Sequence, residues 1–137
     1  MKHNAARSCV VGALCAAMVP CGRAAAQEPR REEALLVFLD CQSWRCDFDH
    51  LRREITYVNW VRDRGDAQVH VLVTTQTTGG GGTEFTLAFI GLRDFAGRED
   101  TLQYVSRASD TDDEVRNGLS RTLSLGLVRY AAQLPVS

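Results

Sequence analysis

The chain has 137 residues, 45% hydrophobic and 24% charged, with 16 basic against 17 acidic side chains and five cysteines. That is ordinary globular composition, and the length suits one domain and argues against two. A balance this close to neutral also argues against nucleic acid or an anionic membrane surface as a partner.

The start of the chain differs from the rest. Lys2 and Arg7 precede an apolar run from Cys9 to Val19, and Ala24-Ala25-Ala26 precedes Gln27. A basic start, a short apolar stretch and small residues before a polar one are the parts of a secretory signal peptide, here residues 1–26. The run is about half the ~20 residues that span a bilayer, so no transmembrane segment is expected after cleavage. The alternative is lipoprotein processing at Cys21, against which stands Pro20 directly before it. Cleavage after Ala26 removes Lys2, Arg7 and Arg23 and no acidic residue, so the remainder is mildly acidic and without lysine. Cys41 and Cys46 are the two cysteines left. An even count in an oxidising compartment predicts one disulfide.

Residues 27–33 read as a polar lead-in, and 34–137 as one α/β domain. Ala34 to Leu39 is a continuous apolar run, as in a strand buried on both faces. Phe48, Leu51, Ile55, Val58 and Val61 recur at three- and four-residue spacing. With Asp47 as N-cap, Arg62 and Arg64 near the end and Gly65 beyond, the spacing predicts a helix over 47–64. Val69, Val71 and Val73 alternate with polar residues over 67–76, a strand with one buried face. Thr77 to Thr83 holds four consecutive glycines and reads as a turn. Phe85, Leu87 and Phe89 alternate after it, so the pair forms an antiparallel hairpin.

Residues 93–97 read as a loop and 101–106 as a shorter strand. Thr111 and Glu114 have capping-box spacing, and Val115, Leu119, Leu123, Leu127, Tyr130 and Leu134 mark a helical stripe to the chain end. Gly118 and Gly126 within it suggest close packing on the sheet. The predicted order is β-α-β-β-β-α, with a right-handed parallel crossover at the start. The predicted fold is a two-layer α/β sandwich whose mixed sheet is covered by two helices.

Several segments carry a resemblance. Leu39-Asp-Cys41, Cys46-Asp-Phe-Asp49, Arg52-Arg-Glu-Ile55, Val61-Arg-Asp63, Asp66 to Leu72, Phe89-Ile-Gly91 and Gly126-Leu resemble the N-terminal periplasmic segment of an uncharacterised family of predicted outer-membrane β-barrel proteins. The likeness covers nearly all of 35–134, and in that family a long barrel-forming region follows. More distantly, the element order resembles the periplasmic α/β domain of TolB and of CsgG-like envelope proteins. No catalytic residues are established for such domains, so the resemblance implies an envelope role without assigning chemistry.

The residues themselves point the same way. Catalysis has few candidates: the sequence holds no G-x-S-x-G, and the Gly79–Gly82 run lacks the lysine and following helix of a phosphate loop. Two metal sets are conceivable: Asp40, Asp47 and Asp49 at the end of the first strand, or Cys41, Cys46, His50 and His70 as a zinc site. Capping by Asp47 and a Cys41–Cys46 bridge explain most of the same residues without a metal. Trp44, Gly80, Gly81, Arg93 and Arg98 are the expected partner contacts, with Trp60 equally suited to core packing. The expected function is an exported, cofactor-free and non-enzymatic envelope domain that binds an envelope protein or its own kind. The alternative is a small metal-dependent periplasmic enzyme. A piece of a longer barrel-containing protein is the third.

Overall fold

A computed structural model describes residues 34–135 and, apart from them, Gly12 alone. The signal peptide over 1–26, Cys21 and the lead-in over 27–33 lie outside the described residues. Five strands and two helices follow in the order β1 (Leu35–Cys41), α1 (Phe48–Glu54), β2 (Val58–Trp60), β3 (Val69–Thr77), β4 (Thr83–Gly91), β5 (Glu99–Val105) and α2 (Asp112–Ala131). The sheet order is β2-β1-β3-β4-β5. β1 runs parallel to both β2 and β3, while β3–β4 and β4–β5 are antiparallel. This is a mixed sheet with two helices, an α/β sandwich.

The core forms where the alternating strands meet the helices. Leu35, Val37 and Leu39 of β1, Val69, Val71 and Val73 of β3, and Phe85, Leu87 and Phe89 of β4 are all buried in one cluster. From the helices come Leu51, Val115, Leu119, Leu123, Leu127 and Tyr130. On the other sheet face Leu36, Phe38, Leu72, Ala88 and Ile90 are half-buried. β1 is therefore fully buried on one face only, although it lies between two strands.

The first helix is shorter than its apolar spacing predicts. It ends at Glu54, and Val58–Trp60 is a strand paired with Leu35–Val37. Ile55-Thr56-Tyr57-Val58 is a β-branched and aromatic run, poor in helix propensity and well suited to an edge strand. Leu51, Ile55 and Val58 are nonetheless all buried. The periodicity marked the inward side chains and misassigned the backbone that carries them. Phe48 is instead 37% exposed. Arg64–Asp66 forms a separate 3-10 turn capped by Asp63, whose Oδ1 accepts from the amide of Gly65, the central residue, at 2.7 Å.

The second helix starts as expected. The Thr111 side chain accepts from the Glu114 amide at 3.3 Å, and the Glu114 carboxylate accepts from the Thr111 amide at 2.8 Å. The helix stops at Ala131, so Leu134 packs beside the core from beyond its end. Gly118 lies against the ring of Tyr104 and Gly126 against that of Phe89, where any Cβ would overlap the ring. Those two glycines let α2 lie directly on β5 and β4.

Candidate functional site

The most distinctive surface feature is the loop between β1 and α1. Cys41 and Cys46 form a disulfide with their Cα atoms 6.3 Å apart. Inside it the chain turns tightly: the Cys46 amide donates to the Ser43 carbonyl at 3.2 Å, and the Arg45 amide to the Ser43 hydroxyl at 3.2 Å. Cys46 is buried in the core, so the loop is fixed at both the sulfur bridge and its base. On this frame Trp44 is 82% exposed, with the Arg45 guanidinium 4.6 Å from its ring centroid. The other tryptophan serves the core: Trp60 is half-buried and its indole N–H donates to the Ile55 carbonyl at 3.3 Å.

The bridge closes a loop of sequence separation 5. By loop-closure entropy it contributes about 2 kcal/mol. Cys46→Ser, or reduction of the native protein, is expected to lower the urea unfolding free energy by that amount. A loss near zero would show that the 41–46 loop is equally ordered without the bridge.

The carboxylates beside this loop have structural partners. Asp47 is the N-cap of α1: its Oδ1 accepts from the His50 amide at 2.9 Å, and its Oδ2 from Arg116 of α2 at 3.1 Å. The His50 amide, with Arg116 beside it, holds the Asp47 carboxyl below its ordinary value. Arg116 also pairs with Asp113, so it ties α1 to the start of α2. Asp49 is exposed in the first turn of α1. Asp40 lies on the open face of β1, its Oδ2 3.8 Å from Nε2 of His70 on β3. That is an ion-pair distance and not a hydrogen bond.

The two metal sets are thus not assembled. Among the described residues no three His, Cys, Asp or Glu side chains converge on a metal-sized position. In the cysteine–histidine set both sulfurs are joined in the disulfide, so neither is a thiolate in this structure. In the aspartate set, Asp40 is turned toward His70 while Asp47 is turned toward the helix it caps.

His70 is only 6% exposed although it lies on the sheet face away from the helices, with the Phe38 ring 5.3 Å away. Burial, reinforced by the charge of Arg64, pushes its pKa below the ordinary value of 6.5, and Asp40 opposes this in part. The folded state therefore holds its proton more weakly than the unfolded chain does. Stability is therefore full above the unfolded pKa and declines as pH falls through about 6.5. The urea midpoint is expected to be higher at about pH 7.5 than at about pH 5.5, and His70→Phe should flatten that slope. An unchanged slope in His70→Phe would assign the dependence elsewhere.

The expected partner contacts fall into separate places. The hairpin tip with Gly80 and Gly81 follows β3, which runs parallel to β1, so it lies at the same end of the sheet as Trp44. Gly81 takes φ +83, as the turn requires. Arg93 and Arg98 follow β4, whose last residue pairs with the first of β3, and so lie at the opposite end. Arg93 is held there at φ 52 with its guanidinium donating to the Gly65 carbonyl. They stand a strand's length away from Trp44. Pattern reading also left out Leu125 and Val128, 62% and 49% exposed on α2. Both fall off the buried stripe of that helix, which is a visible sequence signal. An open groove of about 450 Å³ runs between the end of α1 and α2, lined by Glu54, Asn117, Arg121 and Ser124 among others.

No protein-family model matches the sequence, and neither does any curated protein. Among solved structures the chain is similar to a point variant of PelC from Paraburkholderia phytofirmans, solved as a dodecamer. That likeness has 15% identity and a TM-score of 0.39, and covers 69% of this chain and 86% of that one.

Proposed function

We propose that the protein is an exported domain of the cell envelope, without catalytic activity of its own, that docks onto another envelope protein through the loop carrying Trp44. The observation that carries this reading is Trp44 itself, 82% exposed on a loop closed by a disulfide and anchored in the core. A large aromatic side chain held in water costs hydrophobic free energy that burial in a partner would recover. Fixing its loop in advance lowers the ordering cost of binding, and tryptophan is among the residues enriched at interface hot spots.

An oxidising compartment supports the same reading, since a disulfide of this kind persists outside the reducing cytosol. No helix of the described residues is long and apolar enough to cross a membrane. The N-terminal signal pattern and the resemblance to a segment preceding outer-membrane barrels put an outer-membrane protein first among the partners.

A photo-cross-linking amino acid in place of Trp44, in cells exporting the protein, tests the proposal. A discrete adduct with an envelope protein is expected from position 44 and not from exposed Arg53 on α1. Trp44→Ala should then weaken that complex at least tenfold. The reading is sunk if position 44 yields no adduct, or the same adducts as position 53.

A further inference from the structure

One sheet edge is short and the other is long. β2 offers three residues at its edge, whereas β5 offers seven, Glu99 to Val105, in unbroken register with β4. Ser106 N–H donates to the Thr83 carbonyl at 2.9 Å and Gly91 N–H to the Arg98 carbonyl at 2.8 Å. By the alternation of an antiparallel ladder, Asp100, Leu102 and Tyr104 turn their backbone groups toward β4. Glu99, Thr101, Gln103 and Val105 turn theirs outward, and all four are exposed. The strand carries no proline and no bulge, and its charges, Glu99 and Asp100, are confined to its first two residues.

We propose that this edge pairs with β5 of a second copy, antiparallel about a two-fold axis at Leu102, to give a continuous ten-stranded sheet. The choice of occupant comes from the charge order along the strand. β5 begins with Glu99-Asp100, and Arg107 follows its end. Among the described residues neither Glu99 nor Arg107 forms an ion pair within its own chain. In the antiparallel self-pair Thr101 faces Gln103 of the second copy and Glu99 faces Val105, so all four outward residues are paired. Glu99 then lies diagonal to Arg107 of the second copy, within reach of a long side chain, and symmetry makes this contact twice. A parallel alignment would instead set the two acidic starts side by side.

The helices fit the same arrangement. α2 lies over β5 and β4 through Gly118 and Gly126. With strands about 4.8 Å apart, the two α2 axes would run about 10 Å from each other, the upper end of ordinary helix packing. Toward β5, α2 presents Gly118 against the Tyr104 ring, Thr122 one turn on, and Arg129, which already pairs with Asp100 at 3.4 Å. Val105, 53% exposed, gains Glu99 of the second copy as its cross-strand neighbour. This pairing uses β5 and α2 and stands independently of the Trp44 reading.

The test is sedimentation equilibrium of the exported, oxidised protein across a concentration series. A monomer–dimer equilibrium is expected. Thr101→Pro removes only an outward-facing N–H, which an edge strand tolerates, and should abolish the dimer with an unchanged far-UV spectrum. Glu99→Arg should raise the dissociation constant roughly tenfold, and Glu99→Arg with Arg107→Glu should restore it. A wild-type monomer at all concentrations overturns the proposal, as does a dimer indifferent to both single variants. Failure of the double swap to restore pairing overturns the antiparallel register.

Discussion

Phe89→Ala is expected to lower the unfolding free energy by about 3 to 5 kcal/mol. The ring is fully buried, and it is the surface on which α2 rests at Gly126. The same residue anchors α2 a second time, because its carbonyl accepts from the Tyr130 hydroxyl at 3.3 Å. Truncation leaves a space that α2 cannot fill by settling, since Leu119, Leu123 and Leu127 on either side hold it at its present height. The loss therefore includes the cavity as well as the lost transfer free energy. Against a typical total of about 5 to 15 kcal/mol, it would leave a marginal protein. Urea unfolding followed by tryptophan fluorescence reads it as a midpoint lowered by about 2 M. A loss below about 1.5 kcal/mol would mean that α2 does not depend on this contact for its seat.

Phe89 and Gly126 also illustrate what the sequence made legible. Alternation of Phe85, Leu87 and Phe89 placed a strand correctly, and helical spacing placed α2 with glycines facing the sheet. Local chemistry sufficed for the capping box at Thr111 and for the Cys41–Cys46 bridge. β2 was not legible, because three residues are too few to show a period of two. Moreover, Leu51, Ile55 and Val58 satisfy a helical spacing even though the chain changes conformation between them. The parallel pairing of Leu35 with Val58 decides between the two, and that pairing is tertiary. The β-branched run from Ile55 was the available warning.

The site divides along the same line. Trp44 in a short disulfide loop could be placed on the surface from sequence. The Asp40–His70 contact could not, because it needs β1 and β3 to be parallel neighbours in one register. The separation of Arg93 and Arg98 from Trp44 likewise needs the direction of β4 relative to β3. Which backbone groups of β5 face outward follows from the ladder phase, set by hydrogen bonds at Gly91 and Ser106.

Gly91→Ala is expected to cost about 3 kcal/mol or more, for a reason that separates it from Gly126→Ala. A Cβ at position 91 would overlap the backbone carbonyls of Phe95 and Arg98. Neither carbonyl can move alone. The Phe95 carbonyl accepts from the Arg98 amide at 3.0 Å, and the Arg98 carbonyl accepts from the Gly91 amide at 2.8 Å. The Leu92 amide in turn donates to the Gln68 carbonyl at 2.8 Å, which ties the turn to the lead into β3. Relief requires the whole 92–98 connection to open, at the upper end of overpacking costs. At position 126 the methyl meets the end of the Phe89 side chain and not backbone, and alanine gains about 1 kcal/mol of helix propensity over glycine. Its net cost should stay below about 2 kcal/mol. Amide exchange distinguishes the two mechanisms: Gly91→Ala should lower protection across β4–β5 and leave α2 unchanged, whereas Gly126→Ala should act on α2. Equal and global effects from both would show that the turn is held by the core beneath it and not by the close approach of Gly91 to those carbonyls. Because this turn sets the phase of β5 on β4, Gly91→Ala should also weaken the proposed dimer, while Gly126→Ala should leave the edge pairing intact.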